Sequence, residues 1–222
     1  MDIWEVFAEY DRNAALMNDQ ELEAWLNETL GAFQREHPED FISQSAILNE
    51  LGGFYRSRGI YDKGEQAFLL AKGLLESIHD YESLDYATTL NNLAGLYRLT
   101  GEFDKALELF NEAQRIYESS ENPAPPEVYA SCFNNKGLVY QDMKRYAEAR
   151  ACFEKALGLV EKLPNNGYVL ATTLSNLAFA MHGLGETDRV SECLDRALDI
   201  YRREMGEQSP LYQSCLEVRK KL

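Results

Sequence analysis

Histidine is scarce, with three in 222 residues, and the four cysteines, Cys132, Cys152, Cys193 and Cys215, form no CxxC pair. Spaced 20, 41 and 22 residues apart, they lack the geometry of a metal knuckle or a redox dithiol. Reduced thiols on helices are expected, with no metal bound. Basic charge is short as well: 22 Lys and Arg stand against 37 Asp and Glu, a formal net charge of −15. Proteins hold nucleic acid mainly through Lys and Arg that displace counterions, so this balance argues against nucleic acid and anionic membrane as partners. No apolar run approaches the roughly 18 residues of a membrane-spanning helix, and the N-terminal MDIWEVFAEYDRN has acids where a secretory signal has bases. A folded cytoplasmic protein is expected, with the Asn27-Glu28-Thr29 sequon unused. The sequence also lacks GxxxxGK[ST], HExxH and GxSxG, and Gly183-Leu184-Gly185 follows no strand, so neither an enzyme nor a cofactor is expected.

What the chain does contain is repetition. ATTLNNLA at 87–94 returns as ATTLSNLA at 171–178, a separation of 84. Half that step leads back to Ser45 and forward to the neighbourhood of Ala130, so repeats begin at Ser45, Ala87, Ala130 and Ala171. The phase holds at Tyr55, Tyr97 and Tyr140, at Gly59, Gly101 and Gly185, at Phe68, Phe110, Phe153 and Leu194, and at Ala71, Ala113, Ala156 and Ala197. Apolar residues recur at spacings of three and four on either side of a Gly-centred turn, which predicts two amphipathic helices per repeat. The predicted pairs are 43–57 with 61–77, 85–99 with 103–118, 127–142 with 146–161, and 168–182 with 187–203. Small residues at Gly52, Ala94, Gly137 and Ala178 let helix axes approach to about 8–10 Å.

Before the array, two further helices are expected, the second with Asp19 as N-cap. After it, Ser209-Pro210 opens a last helix ending in Arg219-Lys220-Lys221, basic charge that suits a helix C-terminus. Residues 1–44 thus read as a cap or degenerate repeat, 45–203 as four repeats (45–86, 87–129, 130–170 and 171–203), and 204–222 as a capping helix. The phase continues across Pro123, Pro125 and Pro126, so no domain boundary is expected there.

These residues resemble the tetratricopeptide repeat, whose pattern runs Leu then Gly or Ala, Tyr, a turn, an aromatic, Ala, Phe and Ala. The usual repeat is about 34 residues. The 42-residue step and LNNLAGLY at 90–97 are similar to the longer variety of kinesin light chain and related bacterial proteins. The resemblance implies an all-α, right-handed solenoid of about four helix hairpins with flanking helices, whose concave groove binds peptides.

Numbered within each repeat, positions 4, 7, 8 and 11 pack, which leaves 2, 5, 9 and 12, with 6 at the edge, for the inner surface. These are Ala46, Asn49, Glu50, Gly53 and Arg56, then Thr88, Asn91, Asn92, Gly95 and Arg98. The third and fourth repeats supply Ser131, Asn134, Asn135, Leu138 and Gln141, then Thr172, Ser175, Asn176, Phe179 and His182. Glu50 is the single acid among them. An Asn amide both donates and accepts, the complement of a peptide backbone. Asn92, Asn135 and Asn176 therefore point to a main-chain ladder, and the resemblance implies the same use of that position. Asn49, Asn91 and Asn134 serve either the ligand or a neighbouring helix. Arg56 and Arg98 suit a carboxylate or phosphate, or pair with surface acids. Leu138 and Phe179 make the other end apolar, and His182, isolated from His37 and His79, reads as a polar groove residue.

A protein or peptide partner follows, held by a non-catalytic scaffold along a groove of roughly 30 Å, or about nine extended residues. Two alternatives stand beside it: self-association through an end near Trp4 and Trp25, and a peptide-sensing module of a larger regulator.

Overall fold

The computed structural model describes residues 2–119, 123–161, 163–164, 166–186 and 189–220. Among them every regular element is helical, and the chain divides into two compact units, Met1–Ser120 and Glu121–Leu222. The first holds α1 (Ile3–Leu16), α2 (Asp19–Glu36), α3 (Phe41–Ser57), α4 (Tyr61–Ser77), α5 (Leu84–Leu99) and α6 (Phe103–Ser119). The second holds α7 (Pro126–Asp142), α8 (Tyr146–Val160), α9 (Gly167–Gly183), α10 (Val190–Met205) and α11 (Pro210–Lys220). Within each unit every helix packs on the next in sequence, and consecutive first helices also meet, α3 on α5 and α7 on α9. The division falls at the Pro-rich segment, where Pro125 caps α7 and Pro126 occupies its first turn, with φ preset for a helix and no N–H to leave unsatisfied. The observed helices lie within about two residues of the predicted ones, the ordinary fraying of helix ends. The predicted start of the last repeat's second helix at 187–188 and the basic residue Lys221 lie outside the described residues.

Each hairpin turns in the same way. Gly59, Gly101 and Gly185 adopt φ of +73°, +81° and +75°, and the next residue's N–H reaches back to Tyr55, Tyr97 and Met181 O at 3.0, 2.8 and 3.0 Å. That is the left-handed C-terminal cap in which a residue without Cβ ends the helix at no steric cost. In the third repeat Lys144 takes this place at φ +60°, with Arg145 N donating to Tyr140 O at 2.8 Å.

The packing explains the small residues. A Cβ at Gly52 or Gly137 would come within 2.5 Å of the ring of Phe68 or Phe153, so each ring lies flat on the preceding helix's backbone. Phe68, Phe110 and Phe153 are fully buried, as are Ala71, Ala113 and Ala156. The same phase extends backwards: Leu22, Leu26 and Phe33 of α2 precede Gly64, Phe68 and Leu75 by one 42-residue step and are equally buried. The cap of α2 lies one residue earlier than expected. Asn18, not Asp19, accepts from Gln20 N and Glu21 N, while Glu21 accepts from Asn18 N, a reciprocal capping box. Asp19 instead accepts from Arg58 at 2.7 Å.

Lys144→Gly should raise stability by about 1 kcal/mol, because it removes the Cβ penalty of a left-handed turn, whereas Gly101→Lys should lower it by a similar amount. Urea midpoints of the two variants check both signs.

Candidate functional site

The polar positions of the first helices divide by direction. At position 5, Asn49 Nδ2 donates to Thr89 Oγ1 at 2.8 Å, and Asn134 Nδ2 donates to Thr173 Oγ1 at 2.7 Å, each reaching the next repeat's first helix. Both threonines are fully buried and donate in turn to a carbonyl one helical turn back, Asp85 O and Val169 O. In the fourth repeat Ser175 Oγ continues the row toward Cys215 Sγ of α11 at 3.6 Å. Position 2 is also fixed from behind: Tyr117 and Tyr201, one on α6 and one on α10, lie 3.4 and 3.3 Å from Thr88 and Thr172 Oγ1.

In the first unit the inner residues satisfy one another. Asn92 Nδ2 donates to Asn49 Oδ1 at 3.2 Å, and Arg56 Nη1 donates to Asn92 O at 3.2 Å while lying across Gly95, where a Cβ would come within 2.9 Å of it. Arg56 therefore ties α3 to α5, and burial together with the nearby Arg98 lowers its affinity for a proton. Asn91 is half-buried and its Oδ1 has no partner among the described residues. This face is polar, charged at Glu50, Arg56 and Arg98, and largely closed on itself.

The second unit differs. Ser131, Asn134, Asn135 and Leu138 of α7 and Tyr168, Val169, Thr172 and Asn176 of α9 line a cleft of about 160 Å³. Beside it, a cleft of about 170 Å³ is lined by Gln141, by Thr172, Ser175, Asn176 and Phe179, and by side chains of α10 and α11 including Tyr201, Leu211 and Val218. Thr172 and Asn176 belong to both. Of the ten inner positions predicted for these two repeats, nine line one cleft or the other, while His182 lies exposed and lines neither. No Asp, Glu, Lys or Arg lines either cleft. Asn135 and Asn176 make no side-chain hydrogen bond among the described residues, and Phe179 is 41% exposed. Tyr168 and the α11 side chains fall outside the repeat's inner positions. Tyr168 precedes the repeat start with no counterpart elsewhere, so periodicity carries no signal for it.

The charge lies elsewhere, in exposed pairs on outer helices and loops such as Arg115 with Glu82, Arg196 with Glu161 and Arg219 with Asp195. Each such pair contributes about 0–1 kcal/mol. Among the described residues no group of three His, Cys, Asp or Glu side chains is placed to hold a metal ion, and no helix is long and apolar enough to cross a membrane. The four cysteines are buried and form no disulfide among the described residues, and burial pushes the thiols of Cys152, Cys193 and Cys215 up.

A family model described as tetratricopeptide repeat matches residues 43–119 and 129–203. Among solved structures, BtubC (BKLC) from P. vanneervenii is 24% identical with a TM-score of 0.75, over 90% of this chain and 80% of that one. A kinesin light chain-type protein of nearly identical TPR-like repeats from Podosopora anserina is 19% identical with a TM-score of 0.62, over 93% and 96%. MamA is 18% identical with a TM-score of 0.58, over 92% and 97%. At these identities the likeness is one of fold. No curated protein matches the sequence.

Glu50 offers a test of the first unit's inner face. Burial and the neighbouring Asp11 push its carboxyl above the usual carboxylate range, against the pull of Arg56. With the folded value above the unfolded one, the proton favours the fold. The stabilisation is complete below the ordinary glutamate value near about pH 4 and is lost as pH rises through the raised value. Glu50→Gln should therefore gain stability relative to wild type between about pH 4 and pH 7, read as the difference in urea midpoints. A constant difference would contradict the assignment.

Proposed function

The chain belongs to the tetratricopeptide repeat family, with long repeats of the kinesin light chain-like type, and from that premise we propose that it is a non-catalytic scaffold whose second unit holds an extended segment of a partner protein. The family's fold supports protein interaction in general. The observation that carries the finer reading is the pair of adjoining clefts on α7 and α9, free of charged side chains in a protein with a net charge of −15. A side-chain amide free of protein partners, flanked by apolar surface at Leu138 and Phe179, suits a main chain with uncharged side chains. Asn135 and Asn176 would clasp the backbone, and Phe179 and Leu138 would cover it. In the first unit Asn49, Asn92 and Arg56 already hold one another, and Asn91, Arg98 and His182 line neither of the two clefts.

Self-association is favoured by a separate observation: Trp4 and Leu16 on α1 are 75% and 83% exposed. One experiment addresses both readings. Affinity capture with the tagged full chain, followed by mass spectrometry, should lose its partner by about tenfold or more in the Asn135→Ala, Asn176→Ala double variant, at about 1 kcal/mol per hydrogen bond. Trp4→Ala should leave that partner in place. Capture of the chain's own copies, abolished by Trp4→Ala and untouched by the double variant, would support self-association instead.

A further inference from the structure

The 42-residue phase reaches back onto α1. Ile3, Val6 and Tyr10 precede Ser45, Leu48 and Gly52 by one step, and all three turn inward. Val6 packs with Phe33 and Ile47, and Tyr10 stacks on Trp25 with ring centroids 6.4 Å apart. In α3, the residues Ile47, Leu51 and Phe54 bury themselves against the preceding helices, among them Val6, Phe33, Leu22 and Leu26. Their counterparts on α1 are Glu5, Glu9 and Arg12, exposed and charged, so that side of α1 is polar. A second copy, itself carrying −15, finds no apolar face there.

The same phase puts Trp4, Phe7 and Asp11 at positions 2, 5 and 9, on the inner face. Position 2 is otherwise small, with Ala46, Thr88, Ser131 and Thr172. Trp4 meets Phe7 edge-on at 6.4 Å and is still 75% exposed, so internal packing does not require a ring at that place. Elsewhere the fold covers its rings with its own cations: Lys63 over Tyr55, Lys105 over Tyr97 and Arg145 over Tyr140, at 5.1, 5.0 and 4.7 Å. Among the described residues no cation lies over Trp4, although an indole holds one best.

About two turns and about 10 Å further along α1, Asp11 returns to nearly the same face as Trp4. It is exposed, and with burial it raises the carboxyl of the half-buried Glu50 on α3. Neither side chain has a hydrogen-bond or ion-pair partner among the described residues. Arg56, which acts on Glu50 in the opposite sense, reaches toward α5 and donates to Asn92 O. Two carboxylates thus stand together without an ion-pair partner, an arrangement that a cation relieves.

We propose that this stretch of the first unit's inner face docks a basic segment of a partner protein, with one Arg or Lys over the Trp4 ring and another against Asp11 and Glu50. The net charge of −15 draws such a segment in, and the exposed ring beside the two acids decides where it stops. This surface is separate from the uncharged clefts of the second unit and takes a ligand of opposite character.

Capped, dye-labelled nonapeptides on a Ser/Gln background supply the probes, with arginine, citrulline or glutamate at every third position, about 10 Å apart in an extended chain. Affinity for the full chain is read by anisotropy, and the place of binding by the Trp4 indole N–H NMR signal, assigned with Trp4→Phe. The arginine peptide is expected to shift that signal and to bind about tenfold more tightly than the citrulline peptide, which keeps the side chain's shape without its charge. The glutamate peptide should bind more weakly still. Trp4→Ala should weaken the arginine peptide about fivefold and Asp11→Asn about threefold, and raising salt from about 0.02 M to about 0.3 M should weaken it further. Citrulline changes only the ligand, so that arm is independent of how any variant folds. Equal binding of the citrulline peptide, or an Asp11→Asn variant that binds as wild type does, overturns the inference. So does an arginine peptide that leaves Trp4 unmoved or shifts Tyr168 and Phe179 in its place. A Trp4 signal that responds to protein concentration and not to peptide assigns the ring to self-association and overturns it as well. The reading of the second unit is tested apart from this, by the Asn135→Ala, Asn176→Ala variant.

Discussion

A side-chain amide hydrogen-bonded to a buried threonine sets the spacing of the inner helices in both units. Asn49 with Thr89 and Asn134 with Thr173 join consecutive first helices at the same repeat position. Because each threonine also donates to its own helix, its hydroxyl is oriented and the amide has one place to go. The bond lies between surfaces shaped by the rings of Phe68 and Phe153 against glycine backbones, so polar register and apolar packing agree. Without this anchoring, the inner helices would have no fixed separation, and the clefts between them no defined width.

The same bond has different consequences in the two units. In the first, Asn49 Oδ1 accepts from Asn92, whose carbonyl accepts from Arg56, and the chain of contacts closes across α3 and α5. In the second, the equivalent of Arg56 is Gln141 and the equivalent of Gly95 is Phe179, so no guanidinium crosses the gap. Asn134 Oδ1 has no partner among the described residues, and two uncharged clefts remain. Two substitutions in a repeated frame separate a face tied across by a guanidinium from one that carries two uncharged clefts. Sequestering the acids on outer helices keeps their field away from that face.

Most of the architecture was readable from periodicity, because a helix that packs on both neighbours must repeat its small and large residues in phase. The left-handed turns were readable at Gly59, Gly101 and Gly185, but not at Lys144, where the flanking hydrogen bonds impose a conformation the residue type does not announce. The inner face was readable as a set of positions. Which of two adjacent asparagines turns toward the next repeat was not, since residues 134 and 135 differ by only about 100° around the helix and packing decides between them. Thr89 and Thr173 recurring at position 3 were the available hint. The contribution of α11 to the second cleft lies beyond the repeat phase, so only three-dimensional packing brings Leu211 and Val218 to it.

Under the proposed function, the inner amides divide into those that hold helices and those that meet a partner. Side-chain amide NMR on the ¹⁵N-labelled chain, with each asparagine assigned and the captured partner segment titrated in, tests it most directly. The Asn135 and Asn176 signals should shift, while the Asn49 signal, satisfied on all sides within the first unit, stays in place and exchanges slowly with solvent. Movement of Asn49 with Asn135 and Asn176 unchanged would contradict it.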